Sequence, residues 1–233
     1  MIDLFGKAIL DFQTHNSPEN IVTETNISEA DEMDVAYLFR TYIEMPKLEQ
    51  KALQLSKGKI LDVGCGAGSH SLYLQEKGFD VTSIDISRNA IKTCQLRGLK
   101  NAKVQNILEI DNIKFDTILL LMNGTGIFGT LSETSKYLRK LKNLLSPNGQ
   151  ILIDSSDIIY MFDKNEDGSY LVRTDNYYGE LTFTISYKNQ TEVPFPWLYL
   201  DYITFQKIVL KNSLQCQLIQ KGEHFDYLAK IFI

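Results

Sequence analysis

The chain has 233 residues, 44% of them hydrophobic and 23% charged, and a formal net charge of −5. That is enough chain for one sizeable core, and the balance is that of a globular domain, not a fibrous or disordered one. The acidic excess argues against a polyanionic partner, since nucleic-acid binding usually needs a basic face.

In chain order, residues 1–55 read as helices with an intervening loop. The middle of this segment carries Glu24, Glu29, Asp31, Glu32 and Asp34. Such a run is either a solvated face or a field that attracts a cationic substrate. Ala36 to Tyr42 follow at helical spacing. An apolar strand is expected at Lys59–Val63, a helix at Ser69–Lys77 stopped by Gly78, and a second strand at Asp80–Ile86. Ser87 is a good N-cap for a helix to Arg97, which Gly98 ends. A third strand is expected at about Lys103–Ile107 and a fourth at about Asp116–Met122. Ser132 can cap a helix to Leu145, with Tyr137, Leu138, Leu141, Leu144 and Leu145 on one face. Pro147-Asn148-Gly149 turns the chain into a fifth strand, Gln150–Asp154. Asp201 can cap a helix to about Lys211, and strands follow at Gln215–Gln220 and Tyr227–Ile233.

Residues 160–200 interrupt this alternation. They are rich in Tyr, Phe and Thr, and Leu181 to Tyr187 alternate as a half-buried strand does. With turns at Asp175-Asn176 and Lys188-Asn189-Gln190, an antiparallel sheet of about three strands is expected there. Phe195, Trp197 and Tyr199 close the segment. They either roof a substrate pocket, form a homodimer contact, or pack the insert on the main sheet.

Cys65, Cys94 and Cys216 are widely spaced, which suits a reducing compartment without a disulfide framework. His15, His70 and His224 are scattered, so no metal-ligand spacing emerges. The longest purely apolar run, Ile118–Met122, is far too short to span a bilayer. The stretch MIDLFGKAILDFQTH has neither the basic start nor the apolar core of a signal peptide, so the expected address is the cytoplasm.

The most informative stretch is Lys59 to Ile86. An apolar strand runs into Gly64, Gly66 and Gly68, a helix opens at Ser69, and the next strand ends on Asp85. The glycines permit a sharp turn and a close ligand approach, and the helix start favours an anionic group. A carboxylate about twenty residues past the turn can accept from both hydroxyls of a ribose. These parts make an adenosine-binding half-fold. The dinucleotide fingerprint GxGxxG would need glycine where Ser69 stands, which disfavours an NAD-dependent oxidoreductase.

LDVGCGAGS resembles the first motif of the class I S-adenosylmethionine-dependent methyltransferases. IDIS (84–87) resembles their acidic second motif, FDTILLLMN (115–123) their fourth strand, and LKNLLSPNGQILID (141–154) their fifth-strand unit. The resemblance implies a single α/β domain built on a Rossmann-like seven-stranded sheet, order 3-2-1-4-5-7-6, with the last strand antiparallel. Residues 56–159 would be the cofactor-binding core, 1–55 an N-terminal helical cap or lid, 160–200 a small antiparallel β insert and 201–233 the closing helix and strands.

By the same resemblance the cofactor is S-adenosyl-L-methionine. Its methionine end lies over Gly64, Cys65 and Gly66, with Asp62 steadying the turn and the amine. Asp85 takes the ribose. Asn106 stands where the family often has an aspartate for the adenine amino group; Ile107 and Leu108 on one side and Ile86 on the other either offer apolar faces to the ring or belong to the core. Met122 and Asn123 end the fourth strand at the cofactor. Arg40, with Tyr37 and Tyr42, either closes over the cofactor and pairs its carboxylate or lies on the surface. Cys65 reads as a packing residue, not a nucleophile.

A methylsulfonium needs chiefly a well-placed acceptor in a water-poor site, so no catalytic motif is required. His70, Tyr37 and Asn123 are the candidates for a catalytic role. Asp154, Ser155, Ser156 and Asp157 end the fifth strand at the ligand edge. The chain carries neither an Asn/Asp-Pro-Pro-aromatic motif nor a Pro-Cys pair, which points away from bases in nucleic acid. Methyl transfer to oxygen or nitrogen of a small molecule is therefore expected. RNA or protein methylation, or a catalytically silent donor-binding interaction protein, are the alternatives.

Overall fold

The structure, a computed structural model, describes residues 3–172 and 176–233. Its main sheet has seven strands. The strands are β3 (Lys59–Val63), β4 (Asp80–Asp85), β5 (Ala102–Val104), β6 (Phe115–Leu120), β7 (Leu145–Ser156), β11 (Gln215–Lys221) and β12 (Asp226–Phe232). Their spatial order is β11-β12-β7-β6-β3-β4-β5, and β12 runs antiparallel to both neighbours. This is the expected 3-2-1-4-5-7-6 order.

Helices cover both faces: α2 (Lys47–Leu55) and α3 (Ser69–Glu76) on one, α5 (Thr134–Leu144) and α6 (Tyr202–Lys211) on the other. The two-residue strand period decides which side chain meets which layer. Ile118 and Leu120 of β6 pack with Leu138, Leu141, Phe205 and Val209. Leu119 and Leu121 turn the other way, onto Leu48, Ala52, Leu53 and Leu74. Both faces of β6 are therefore apolar, which is why ILLLM shows no alternation.

The remaining helices, α1 (Leu4–Gln13) and α4 (Arg88–Leu96), pack together beside a second sheet. That sheet contains β1 (Ile21–Thr25), β2 (Ser28–Met33), β8 (Glu180–Tyr187), β9 (Gln190–Thr191) and β10 (Phe195–Leu198). Its order is β10-β8-β1-β2, with β9 on β8. The loop expected between the N-terminal helices is thus a hairpin joined to the insert. β-Branched Ile21, Val22, Thr23 and Thr25 suit a strand, and β1 pairs with both β8 and β2. The acidic β2 forms despite poor strand propensity, and its charges deter further pairing at this edge.

Other boundaries moved for local reasons. Residues 36–42 are not α-helical: they form 3-10 turns at Val35–Phe39 and Tyr42–Glu44, with Val35 and Leu38 buried three apart. β5 stops early because the Asn106 side chain accepts from the Leu108 amide and caps a turn at Ile107–Glu109. α5 starts at Thr134 without a side-chain cap, so Ser132 does not cap it. Pro147-Asn148-Gly149 lies within β7 as an irregularity in its ladder with β6, Asn148 at φ +62°. Asp175, half of an expected turn, lies outside the described residues.

Gly68 links the glycine turn to the core. Its φ is +83°, and a Cβ there would fall 2.7 Å from Leu99 Cδ1 and 2.9 Å from Cys94 Sγ. Gly68→Ala is expected to destabilise the fold by about 1–3 kcal/mol through overpacking and backbone strain. Urea denaturation with an unchanged midpoint would contradict that assignment.

Candidate functional site

The site lies along the C-terminal edge of β4, β3, β6 and β7, where ligands of open α/β sheets bind. The amides of Gly64 and Cys65 both donate to the Ile84 carbonyl, at 2.9 and 3.1 Å, which folds the turn over β4. The Gly66 amide donates to Asp85 Oδ2 at 3.0 Å and the Ser87 amide to Oδ1 at 2.8 Å. Asp85 is thereby fixed at its strand end. Burial raises its carboxyl above the usual range, against these amide bonds.

The three glycines differ in purpose. A Cβ on Gly66, at φ +52°, would meet nothing within 4 Å, so a ligand can approach the backbone there. At Gly64 it would come 3.1 Å from Ile127 Cδ1, so that glycine answers to packing as well as to its φ of +71°. Beneath the turn Asp62 is buried and accepts from Ser71 Oγ at 2.6 Å, while Ser83 Oγ donates to Ser71. Asp62 thus ties α3 to β3. The Cys65 thiol lies 3.8 Å from Cys94 Sγ, and that neighbour together with burial pushes it well above its ordinary range. It is a packing group, as expected.

Above the turn sits a buried charge cluster. Arg40 is only 7% exposed. Its Nη2 donates to both carboxylate oxygens of Glu49, its Nη1 to the Tyr37 carbonyl, and its guanidinium lies 4.0 Å from the Tyr37 ring centroid. Arg40 Nε is buried with no partner among the described residues. Glu49 Oε2 also meets His70 Nε2 at 2.6 Å. Burial alone would raise the Glu49 carboxyl, but His70 and Arg40 outweigh it and hold it below the ordinary value. Burial opposes the His70 cation, yet Glu49 and Asp62 raise its pKa. His70 is therefore an ion-pair partner inside the fold, which does not suit the catalytic role considered for it from sequence.

Tyr37 is 44% exposed over Arg40, whereas Tyr42 stacks on Tyr73 of α3 with centroids 4.2 Å apart. Of the expected lid aromatics, then, Tyr37 stands at the site and Tyr42 is engaged elsewhere. Ile86 is 72% exposed beside Asp85, but Ile107 is buried in the core. Asn106, half-buried at the end of β5, spends one lone pair on its cap.

The end of β6 is held by Asp154. Met122 and Asn123 adopt left-handed conformations at φ +65° and +60°, uncommon for such residues. The Met122 amide donates to Asp154 Oδ2 at 3.0 Å and the Gly124 amide to Oδ1 at 2.9 Å. Burial outweighs these bonds and pushes the Asp154 carboxyl up to about 7, with Glu49 adding to the rise. Asn123 accepts from Ser155 Oγ and donates to the Leu198 carbonyl. Thr125 is buried behind it, bonded to Ser155. Trp197 covers Gly126 so closely that a Cβ there would fall 2.0 Å from the indole. Trp197 therefore fastens the insert to the main domain.

Sequence reasoning missed Glu49, whose only signal is a carboxylate among the buried apolar positions Leu48, Ala52 and Leu53 of α2. It placed Asp154 at the ligand edge without giving it a part.

A strand–glycine turn–helix with an open backbone at Gly66, a fixed carboxylate at Asp85 and an orphaned guanidinium N–H above them fits a ligand that offers a ribose and a carboxylate. The fold and this edge are those of an S-adenosylmethionine-dependent methyltransferase. The family model described as "Methyltransferase domain" matches residues 54–220, and the chain belongs to that family. A solved SAM-dependent methyltransferase from Bacteroides fragilis, in complex with S-adenosyl-L-homocysteine, is 42% identical with a TM-score of 0.92. The match covers 99% of this chain and 94% of that one. The putative methyltransferase YqeM of Bacillus subtilis (strain 168) is 30% identical over 130 residues, 49% of this chain and 53% of that protein. The ubiquinone biosynthesis O-methyltransferase of Rickettsia akari (strain Hartford) is 29% identical over 103 residues, 43% and 41% of the two chains. The chain spans about half the length of these curated relatives. Among the described residues no helix is long and apolar enough to cross a membrane.

Proposed function

We propose that this protein transfers a methyl group to oxygen or nitrogen of a small molecule held beyond Asp154. The observation that carries this reading is a cavity of about 470 Å³ at the same sheet edge. It is walled by Ser156 at the end of β7 and Ile158 beyond it, by Tyr160 and Tyr199, and by Thr23 and Phe183 of the second sheet. Ser156 lies two residues past Asp154 on the same face of β7, and Tyr199 of the cavity wall feels the Asp154 charge, so the cavity lies near Asp154 without being lined by it.

When bound, the cofactor supplies an electrophilic methyl on a sulfonium. The chain's part is to bind, orient and exclude water. Asp85 accepts from the ribose hydroxyls, and Ile86 lies against the adenine, with the remaining acceptor capacity of Asn106 available to its amino group. The turn at Gly64, Cys65 and Gly66 carries the methionine end, Asp62 holds that turn in place, and Arg40 Nε donates to the carboxylate. Met122 and Asn123 border the methyl, and Tyr37 covers it from the N-terminal segment.

Asp85→Ala removes a charge-assisted acceptor and is expected to weaken S-adenosylhomocysteine binding by roughly 1.5–3 kcal/mol. Calorimetric titration checks it, with the unfolding curve run in parallel because Asp85 also holds two backbone amides. Unchanged affinity in a folded variant would remove Asp85 from the ribose.

A further inference from the structure

The cavity beyond Asp154 differs in chemistry from the donor edge. Asp31 faces Thr23 across the hairpin, and Thr23 faces Ile185 of β8. Residues directly opposite share a face, and Ile185 is buried against the core, so this face of the second sheet is turned inward. Met33 packs inward on α1 and its neighbours, and Asp31 shares its side of β2, while a bulge in the ladder between Asp31 and Ser28 interrupts the alternation at Glu29. Glu29 and Asp31 both border the cavity. The hairpin therefore sets two solvent-exposed carboxylates along the rim of an open cavity.

Carboxylates alone would be no more than a solvated edge. Here they meet aromatic faces: Tyr160, Phe183 and Tyr199 border the same space, and Tyr160 stacks on Phe225 at its rim with centroids 5.0 Å apart. Among the described residues no lysine or arginine borders it, and none pairs with Glu29 or Asp31. A further carboxylate, Asp226, stands on the β12 side, where its Oδ1 also accepts from the His224 amide. Aromatic faces and unneutralised carboxylates both favour an organic cation and disfavour a carboxylate or phosphate.

We infer that the methyl acceptor is a small primary or secondary amine that enters as its ammonium, held by Glu29 and Asp31 against the aromatic wall and delivered to Asp154. This rests on the small-molecule methyltransferase reading above. Asp154 suits the receiving end because backbone amides anchor it, and no salt bridge to it occurs among the described residues. An ammonium has no lone pair and must first lose a proton. Asp154 takes the N–H proton. The freed nitrogen pair forms the N–CH3 bond while the C–S bond breaks and sulfur keeps its electrons. Sulfonium and ammonium thereby become thioether, methylammonium and one released proton.

The test is calorimetry on protein saturated with S-adenosylhomocysteine, titrated separately with benzylamine, benzyl alcohol and benzoate. Benzylamine should bind at least about tenfold more tightly than either isostere. That preference should fall to near parity in the Glu29→Gln, Asp31→Asn double variant, whose changes are at exposed positions. An equal or reversed ranking, no binding of any of the three, or a preference that survives in the double variant overturns the amine assignment. Failure to take up S-adenosylhomocysteine at all would instead overturn the donor reading.

Discussion

Replacing Arg40 by alanine is expected to cost about 3–5 kcal/mol of stability, the usual consequence of leaving one member of a buried ion pair uncompensated. Glu49 would keep only His70 in a site where both side chains of the Arg40–Glu49 pair are 5% exposed. The loss should depend on pH in a defined way. Glu49 is held below its ordinary value, so its contribution is present above the ordinary carboxylate range and is lost as pH falls through the depressed value. His70 is held above its ordinary value, so its contribution is present below that value and is lost as pH rises through the raised one. Wild type and Arg40→Ala should therefore differ most near neutrality and converge in acid. Denaturant unfolding at several pH values measures this. A pH-independent gap would mean that Arg40 acts by packing alone. On the proposed role of Arg40 Nε as a donor to the cofactor carboxylate, the variant should also bind S-adenosylhomocysteine more weakly.

Asp154→Asn is expected to lower kcat by about 10²–10⁴-fold, the usual worth of a positioned proton acceptor. In wild type the rate should fall as pH drops below about 7, because the carboxyl then carries its proton and cannot accept another. The variant should lack that limb. A second signature needs no acceptor. A carboxyl whose folded value is raised to about 7 makes the fold lose stability as pH climbs from the ordinary carboxylate range to about 7. Above that the contribution is flat. Asp154→Asn should abolish this slope, although it also weakens the clamp on Met122 and Gly124, since an amide has one oxygen where the carboxylate has two. A slope that persists would place the titration elsewhere.

Sequence patterning carried the donor half of this fold because its signals are local. Glycines at 64, 66 and 68, a carboxylate closing β4 and the Ser87 cap are each legible within a few residues. The second sheet was legible only in its β8–β10 half, from the alternation at Leu181–Tyr187. β1 and β2 lie some 150 residues earlier, and β2, with Glu29, Asp31 and Glu32 among its six residues, has no strand signature of its own. It exists because β8 supplies a partner to β1. The charge cluster was hidden for a related reason. Arg40, Glu49 and His70 come from three elements, and their mutual neutralisation is what lets each be buried. Read singly, Arg40 was either a partner for the cofactor carboxylate or a surface residue, His70 was a catalytic candidate, and Glu49 did not stand out. Asp154 was legible in place but not in state, since its raised pKa comes from burial that only the packed fold supplies.

The destination of the methyl group tests the proposed site most directly. Purified protein incubated with methyl-labelled donor should be offered amines, phenols, carboxylic acids, thiols and structured RNA. Label should pass to small molecules, amines foremost, and transfer should fall sharply in Asp154→Asn. Label found only on RNA, with no small molecule turned over, would contradict the placement of the acceptor beside Asp154.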